Sequence, residues 1–299
     1  MGEVGGGKAS FHPSRFIVHR AAETSGAGEG PCLERPRMVV AFEGWNDAAD
    51  AASCALANLA RAWAATPFAE IDPEEFFDFT AARPEVIVVE GLAREITWPA
   101  TVFSAAPGPV DVVTARGPEP QLRWRAYCDA FVELAGELRT ERVVMLGAYL
   151  AEVRHSGPVP LTVTGSDAAL LSGAGQALSL YEGPTGIVGV LGAALGDAGI
   201  PTIAVWASVP CYSLPVSAKA ALALAEAASR LVDRAADLVQ LAGEARAYER
   251  RMDELVREDE TVAAYVARLN RSSEVVVEED SAEGLSDEIE RFLRDEPPG

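Results

Sequence analysis

Between residues 38 and 210 short apolar runs alternate with longer Ala- and Leu-rich stretches. The run Met38-Val39-Val40-Ala41-Phe42 is apolar at every position. A strand with one wet face alternates apolar and polar residues, so this run reads as a strand covered on both faces. Comparable strands are predicted over residues 85–90, 110–114, 142–148, 161–164 and 202–207. Helices are predicted over 48–65, 121–138 and 185–198, the second with Tyr127, Phe131, Leu134 and Leu138 at helical spacing. Strands that alternate with helices specify a mostly parallel sheet with helices on both sides, a three-layer α/β fold.

The flanks differ from this core. Residues 1–37 hold no sustained period and are rich in glycine, which reads as a flexible segment with a short strand at 16–19. Residues 38–215 form the α/β core. Residues 216–299 read as a helical region that packs on the core or on a neighbouring subunit, with helices over 216–243, 245–270 and 283–294. From Gly243 onward 8 Arg face 17 Asp and Glu.

The whole chain of 299 residues carries 25 Lys and Arg against 45 Asp and Glu, a net charge of −20. That field opposes binding to nucleic acid or to an anionic membrane surface. It suits solubility or a basic partner. Cys32, Cys54, Cys128 and Cys211 are scattered without a C-x-x-C pair, and only His12, His19 and His155 are available. Neither a disulfide framework nor a zinc site is expected, and no cofactor is expected. The longest apolar stretch, 186–210, is interrupted by Asp197, Gly199 and Pro201, whereas a membrane span needs about 20 apolar residues. With no leader pattern at its start, the chain reads as cytoplasmic.

Several constellations invite chemistry. The segment from Gly2 to Ala9 approximates a phosphate loop, but Ala9 stands where magnesium needs a Ser or Thr. The loop Glu43-Gly44-Trp45-Asn46-Asp47 follows a core strand, and ligands of parallel sheets bind at such strand ends. Asn46 or Asp47 is also a fitting cap for the next helix. Glu182-Gly183-Pro184-Thr185-Gly186 leads into a helix with Gly189, Gly192 and Gly196. Those glycines cost about 1 kcal/mol each against Ala, so another backbone is expected to approach them closely. Thr185 could alternatively present the helix N-terminus to a phosphate. Tyr212 ends the segment that follows the last core strand. A hydrolase would have to join His155 with Glu182 or Asp47, since no G-x-S-x-G elbow occurs and no catalytic set is evident.

Many ordered segments carry a resemblance. They include M-V-V-A-F-E-G-W-N-D from Met38, I-D-P-E-E-F-F-D-F from Ile71 and G-P-E-P-Q-L-R-W-R from Gly117. L-G-A-Y-L-A from Leu146, Y-E-G-P-T-G-I-V-G-V-L from Tyr181 and P-T-I-A-V-W-A-S-V-P from Pro201 continue the series. Together they resemble the proteasome assembly chaperone 2 family, in its bacterial, actinobacterial-type branch. The resemblance implies a three-layer fold similar to the phosphorylase/hydrolase-like architecture of purine nucleoside phosphorylases. It implies self-association, a trimer among the options, or pairing with a relative or with proteasome α-subunits. It implies no catalytic residues. The chain departs from the family pattern at Val153–Gly157, where Pro-His is expected, and at Cys211, where His is expected. The resemblance thus implies a non-enzymatic assembly or interaction protein. The alternative is a protein that binds or processes a nucleoside or phosphate compound.

Overall fold

The computed structural model describes residues 16–18, 32–89 and 93–279. The phosphate-loop look-alike at 2–9, most of the flexible reading of 1–37 and the helix read at 283–294 lie outside the described residues. In chain order the elements are β1 (Phe16–Val18), β2 (Arg37–Glu43), α1 (Ala51–Ala62), β3 (Thr66–Ile71), β4 (Glu85–Val89), β5 (Ala93–Thr97) and β6 (Thr101–Ala106). Then follow β7 (Val112–Pro118), α2 (Trp124–Glu137), β8 (Arg142–Ala151), β9 (Leu161–Gly165), α3 (Ala168–Gly173), β10 (Ala177–Leu178) and α4 (Ile187–Asp197). The chain continues through β11 (Thr202–Pro210), α5 (Ala218–Leu231), α6 (Val239–Glu258) and α7 (Glu260–Glu279).

Among the described residues nine strands form one sheet in the order β1-β3-β6-β7-β2-β8-β11-β9-β10. The four central strands, β7, β2, β8 and β11, are mutually parallel, and antiparallel pairs join them to the strands on either flank. Successive strand side chains point to opposite faces. Val39, Ala41, Val144, Leu146 and Val205 therefore meet α1 and α5 on one face, in a cluster that includes Leu56, Ala221 and Leu224. Met38, Val40, Phe42, Val143 and Met145 meet α2 and α4 on the other, with Phe131, Leu134, Val188 and Leu191. Here Phe42, Phe76 and Phe131 surround the ring of Tyr127, with centroids 5.4–6.1 Å away. The fully buried Tyr127 hydroxyl shares a hydrogen bond of 2.5 Å with Thr101 Oγ1, and burial pushes its pKa far up.

Three boundaries differ from the sequence expectation. The first helix starts as a 3-10 turn at Ala48–Asp50, where Asp50 takes a left-handed conformation, before α1 proper. The helix predicted over 216–243 ends at Leu231. Arg142 and Arg37 donate to the carbonyls of Leu231 and Val232 at 3.0 and 2.9 Å and so satisfy its open C-terminus. The following linker is held by tertiary bonds: Trp63 Nε1 donates to Ala235 O at 3.0 Å, and Arg234 Nη1 to Ala106 O and Val110 O at 2.5 and 3.0 Å. The helix predicted over 245–270 is two, broken at Asp259, whose carboxylate accepts from Thr261 N and Val262 N to begin α7. Among the described residues no helix is long and apolar enough to cross a membrane.

Candidate functional site

All four parallel strands release their chains on one edge of the sheet, at Glu43, Pro118, Ala151 and Pro210. Gly44 turns the chain there with φ +110°, a conformation that costs glycine little. Glu43 pairs with Arg116 (Oε1 to Nη2 2.8 Å), both half exposed, and exposed pairs contribute about 1 kcal/mol at most. Trp45 is 64% exposed. Asn46 and Asp47 turn inward and are buried. Asp47 Oδ1 accepts from the amides of Ala52 (2.6 Å) and Ser53 (3.2 Å), so it caps α1 from across the 3-10 turn. Burial pushes its pKa up, against those hydrogen bonds.

Glu119, in the loop after β7, was not among the residues the sequence singled out, yet it organises this edge. Its Oε1 accepts from Asn46 Nδ2 and from Ile187 N, each at 2.8 Å. The N-terminus of α4 is thus already faced by a carboxylate, the charge that a helix start favours. A phosphate at Thr185 would meet that carboxylate. The Thr185 hydroxyl itself makes only a long contact of 3.5 Å, to Gly186 O. Gly186 at the start of α4 offers no side-chain cap, which calls for an acceptor from elsewhere without naming Glu119. Gly186 is required because a Cβ there would sit 2.4 Å from Asn46 Oδ1 and 2.8 Å from Glu119 Oε1.

Behind the first loop lies a cavity of about 940 Å³ between β8, β9, β11 and α4. Gly44, Trp45, Gly183 and Thr185 line it, so the structure brings the two predicted loops together. Glycines of α4 form part of the wall, as at Gly192, where a Cβ would stand 2.9 Å from Met145 Cε. The neighbours at Gly189 and Gly196 are likewise side chains, Thr185 and Ser166. This corrects the expectation of a close backbone approach by a strand or helix of the same chain. Glu182 is exposed on its loop.

His155 and Tyr212 belong to a separate group. The buried His155 ring meets Tyr212 OH through Nδ1 at 2.9 Å and Asp253 of α6 through Nε2 at 3.0 Å. Tyr212 OH also accepts from His155 N at 3.0 Å. Lys219 Nζ bridges His155 O (2.6 Å) and Glu249 (2.5 Å). The partnership of His155 with Glu182 or Asp47 that a hydrolase would need is therefore replaced by a strut between the strand ends and α6. Cys211, which stands where the family pattern has His, donates to Ala151 O at 3.3 Å.

A profile of the PAC2 family matches residues 41–256, which include the loops at the strand ends and most of α6. The chain belongs to the PAC2 family. A PAC2 family protein of Streptomyces avermitilis is 44% identical with a TM-score of 0.72, the match covering 77% of this chain and 99% of that one. A proteasome-assembly chaperone homologue of Mycobacterium tuberculosis is 42% identical with a TM-score of 0.70, over the same shares of both chains. An archaeal proteasome activator of Pyrococcus furiosus shares the PAC2 fold at 16% identity, with a TM-score of 0.61 and coverage of 80% of this chain and 97% of that one. No curated protein matches the chain.

Proposed function

We propose that this PAC2 family member is a non-enzymatic, self-associating interaction protein with a chaperone-like part in protein assembly. Its partners are further copies of itself, a relative, or proteasome α-type subunits. One observation carries the reading. Among the described residues β4 and β5 pair only with each other, outside the main sheet. On this ribbon Val86, Ile87, Val88 and Ile96 are each between 48% and 60% exposed. Val86, Val88 and Ile96 share one face, and Ile87 stands on the other among Glu85, Glu95 and Thr97, so the ribbon exposes apolar side chains on both faces and a mainly apolar surface on one. A lone two-stranded ribbon is marginal in water, and fully burying each such side chain contributes about 1.5–3 kcal/mol. Trp98, packed against Phe79 with ring centroids 4.8 Å apart and planes inclined at 59°, braces its base. A protein surface that covers the ribbon resolves both deficits.

Similarity to a proteasome-assembly chaperone homologue of Mycobacterium tuberculosis supports the assembly role, and the carboxylate of Glu119 at α4 speaks against the phosphate-binding alternative. The test mixes the purified protein with proteasome α-subunits of its own host and follows the mixture by size-exclusion chromatography with light scattering. A mixed species that Ile87→Lys weakens at least tenfold supports the reading. Elution as two unchanged species removes the α-subunits from the list of partners.

A further inference from the structure

We infer that the cavity between β8, β9, β11 and α4 is a binding site for a small, uncharged aromatic molecule. Three observations carry this beyond the assembly role. The cavity holds about 940 Å³, within the range of about 300–1,000 Å³ that small-molecule sites occupy. No Asp, Glu, Lys, Arg or His lines it among the described residues, although 23% of the chain is charged. Its side-chain hydroxyls are neutral, from Thr162, Thr164, Ser166, Ser179, Thr185 and Thr202 together with two tyrosines.

Three of the four aromatic groups that line it are held in place. The indole of Trp206 lies across the bare backbone of Gly147, its register partner, where a Cβ would stand 2.4 Å from Cε3. Tyr149 OH accepts from Ser208 Oγ at 3.0 Å, and Tyr181 OH donates to Pro184 O at 3.0 Å. Both rings are thereby oriented on the cavity wall. A planar apolar ligand gains offset stacking against such rings. An anion gains nothing, because it would lose its hydration with no cation to meet it and would face the −20 field of the chain. The class is therefore neutral and aromatic, with one to three groups able to hydrogen-bond the threonine and serine hydroxyls.

A matched pair of dyes tests this on the full chain. N-phenyl-1-naphthylamine is neutral, and 1-anilinonaphthalene-8-sulfonate is nearly the same skeleton with a negative charge. The expected result is saturable binding of one neutral dye per chain, with emission sensitised by tryptophan, and at least tenfold weaker binding of the sulfonate. Ala193→Phe and Thr164→Phe add bulk at exposed positions of the wall and should each weaken the neutral dye at least tenfold. Ile87→Lys, on the β4–β5 ribbon, should leave it unchanged. The dye preference of the unmodified chain stands as a test even where a wall variant fails to fold. Equal or tighter binding of the sulfonate overturns the inference, as does loss of binding in Ile87→Lys with both wall variants unaffected. Those results leave the assembly reading standing, because it rests on the ribbon.

Discussion

Glu119 and Ile187 meet at 2.8 Å, a side-chain carboxylate against the first backbone amide of α4. The same oxygen holds the amide of Asn46. One residue thus ties the loop after β7 to the loop after β2 and to the start of a core helix. Replacing it with Ala leaves two donors without that acceptor, each costing about 1–3 kcal/mol. Glu119→Gln keeps an oxygen there and gives up the charge, worth about 0.3–1 kcal/mol at a helix start. Urea unfolding should therefore rank Glu119→Ala well below Glu119→Gln. Equal losses would contradict the shared-acceptor account.

Asp47 makes stability depend on pH in an unusual direction. Burial holds its carboxyl above the ordinary value of about 3.9, so the folded protein keeps this proton to higher pH than the unfolded chain does. Its contribution is greatest below the unfolded value and declines as pH rises through that value to the raised one. Asp47→Asn keeps an oxygen for Ala52 and Ser53 and has no charge to bury. Its melting temperature relative to wild type should rise from acid to neutral pH. Asp47→Ala also loses the cap and should cost about 1–2 kcal/mol throughout. A pH-independent difference between wild type and Asp47→Asn would refute the burial argument.

The pair of His155 with Asp253 joins the strand ends to α6, and the pair of Lys219 with Glu249 joins α5 to it. His155→Ala should loosen α6 before it unfolds the core. Hydrogen exchange should then show lost protection over Val239–Glu258 while β2 and β8 stay protected. Uniform loss across the sheet would mean that α6 and the core open as one unit.

Two glycines in helices or at their starts separate necessity from tolerance. Gly136 in α2 has nothing within 4 Å of a prospective Cβ, so Gly136→Ala should stabilise by about 0.5–1 kcal/mol through helix propensity. At Gly186 the same change drives a methyl into Asn46 and Glu119 and should cost about 1–3 kcal/mol. Thermal melts of the pair should move in opposite directions.

The central strands were legible because both faces of β2, β8 and β11 are buried, which leaves an unbroken apolar run. The flanking β3 and β6 were not, because Pro67, Thr101 and Ser104 interrupt their apolar residues and each is buried at only some positions. The break after Leu231 contains neither Pro nor Gly. Its cause is distant in sequence, in Trp63 and in the carbonyls of Ala106 and Val110 that bind Arg234. The places of the loops at 43–47 and 182–186, at a strand end and a helix start, were legible from their residue types. Their separation from His155 and Tyr212 was not, because it depends on which way α6 packs. Glu119 was hidden because a carboxylate in a polar loop gives no local sign that two buried donors converge on it.

The most direct measurement of the central claim is the mass of the purified chain by light scattering, beside that of the Ile87→Lys, Ile96→Lys double variant. A wild-type mass that is a multiple of 31.5 kDa, and that falls to a single chain in a variant with unchanged circular dichroism, is what the account predicts. A wild-type protein that stays a single chain at high concentration, or an oligomer that the double variant leaves intact, would contradict it.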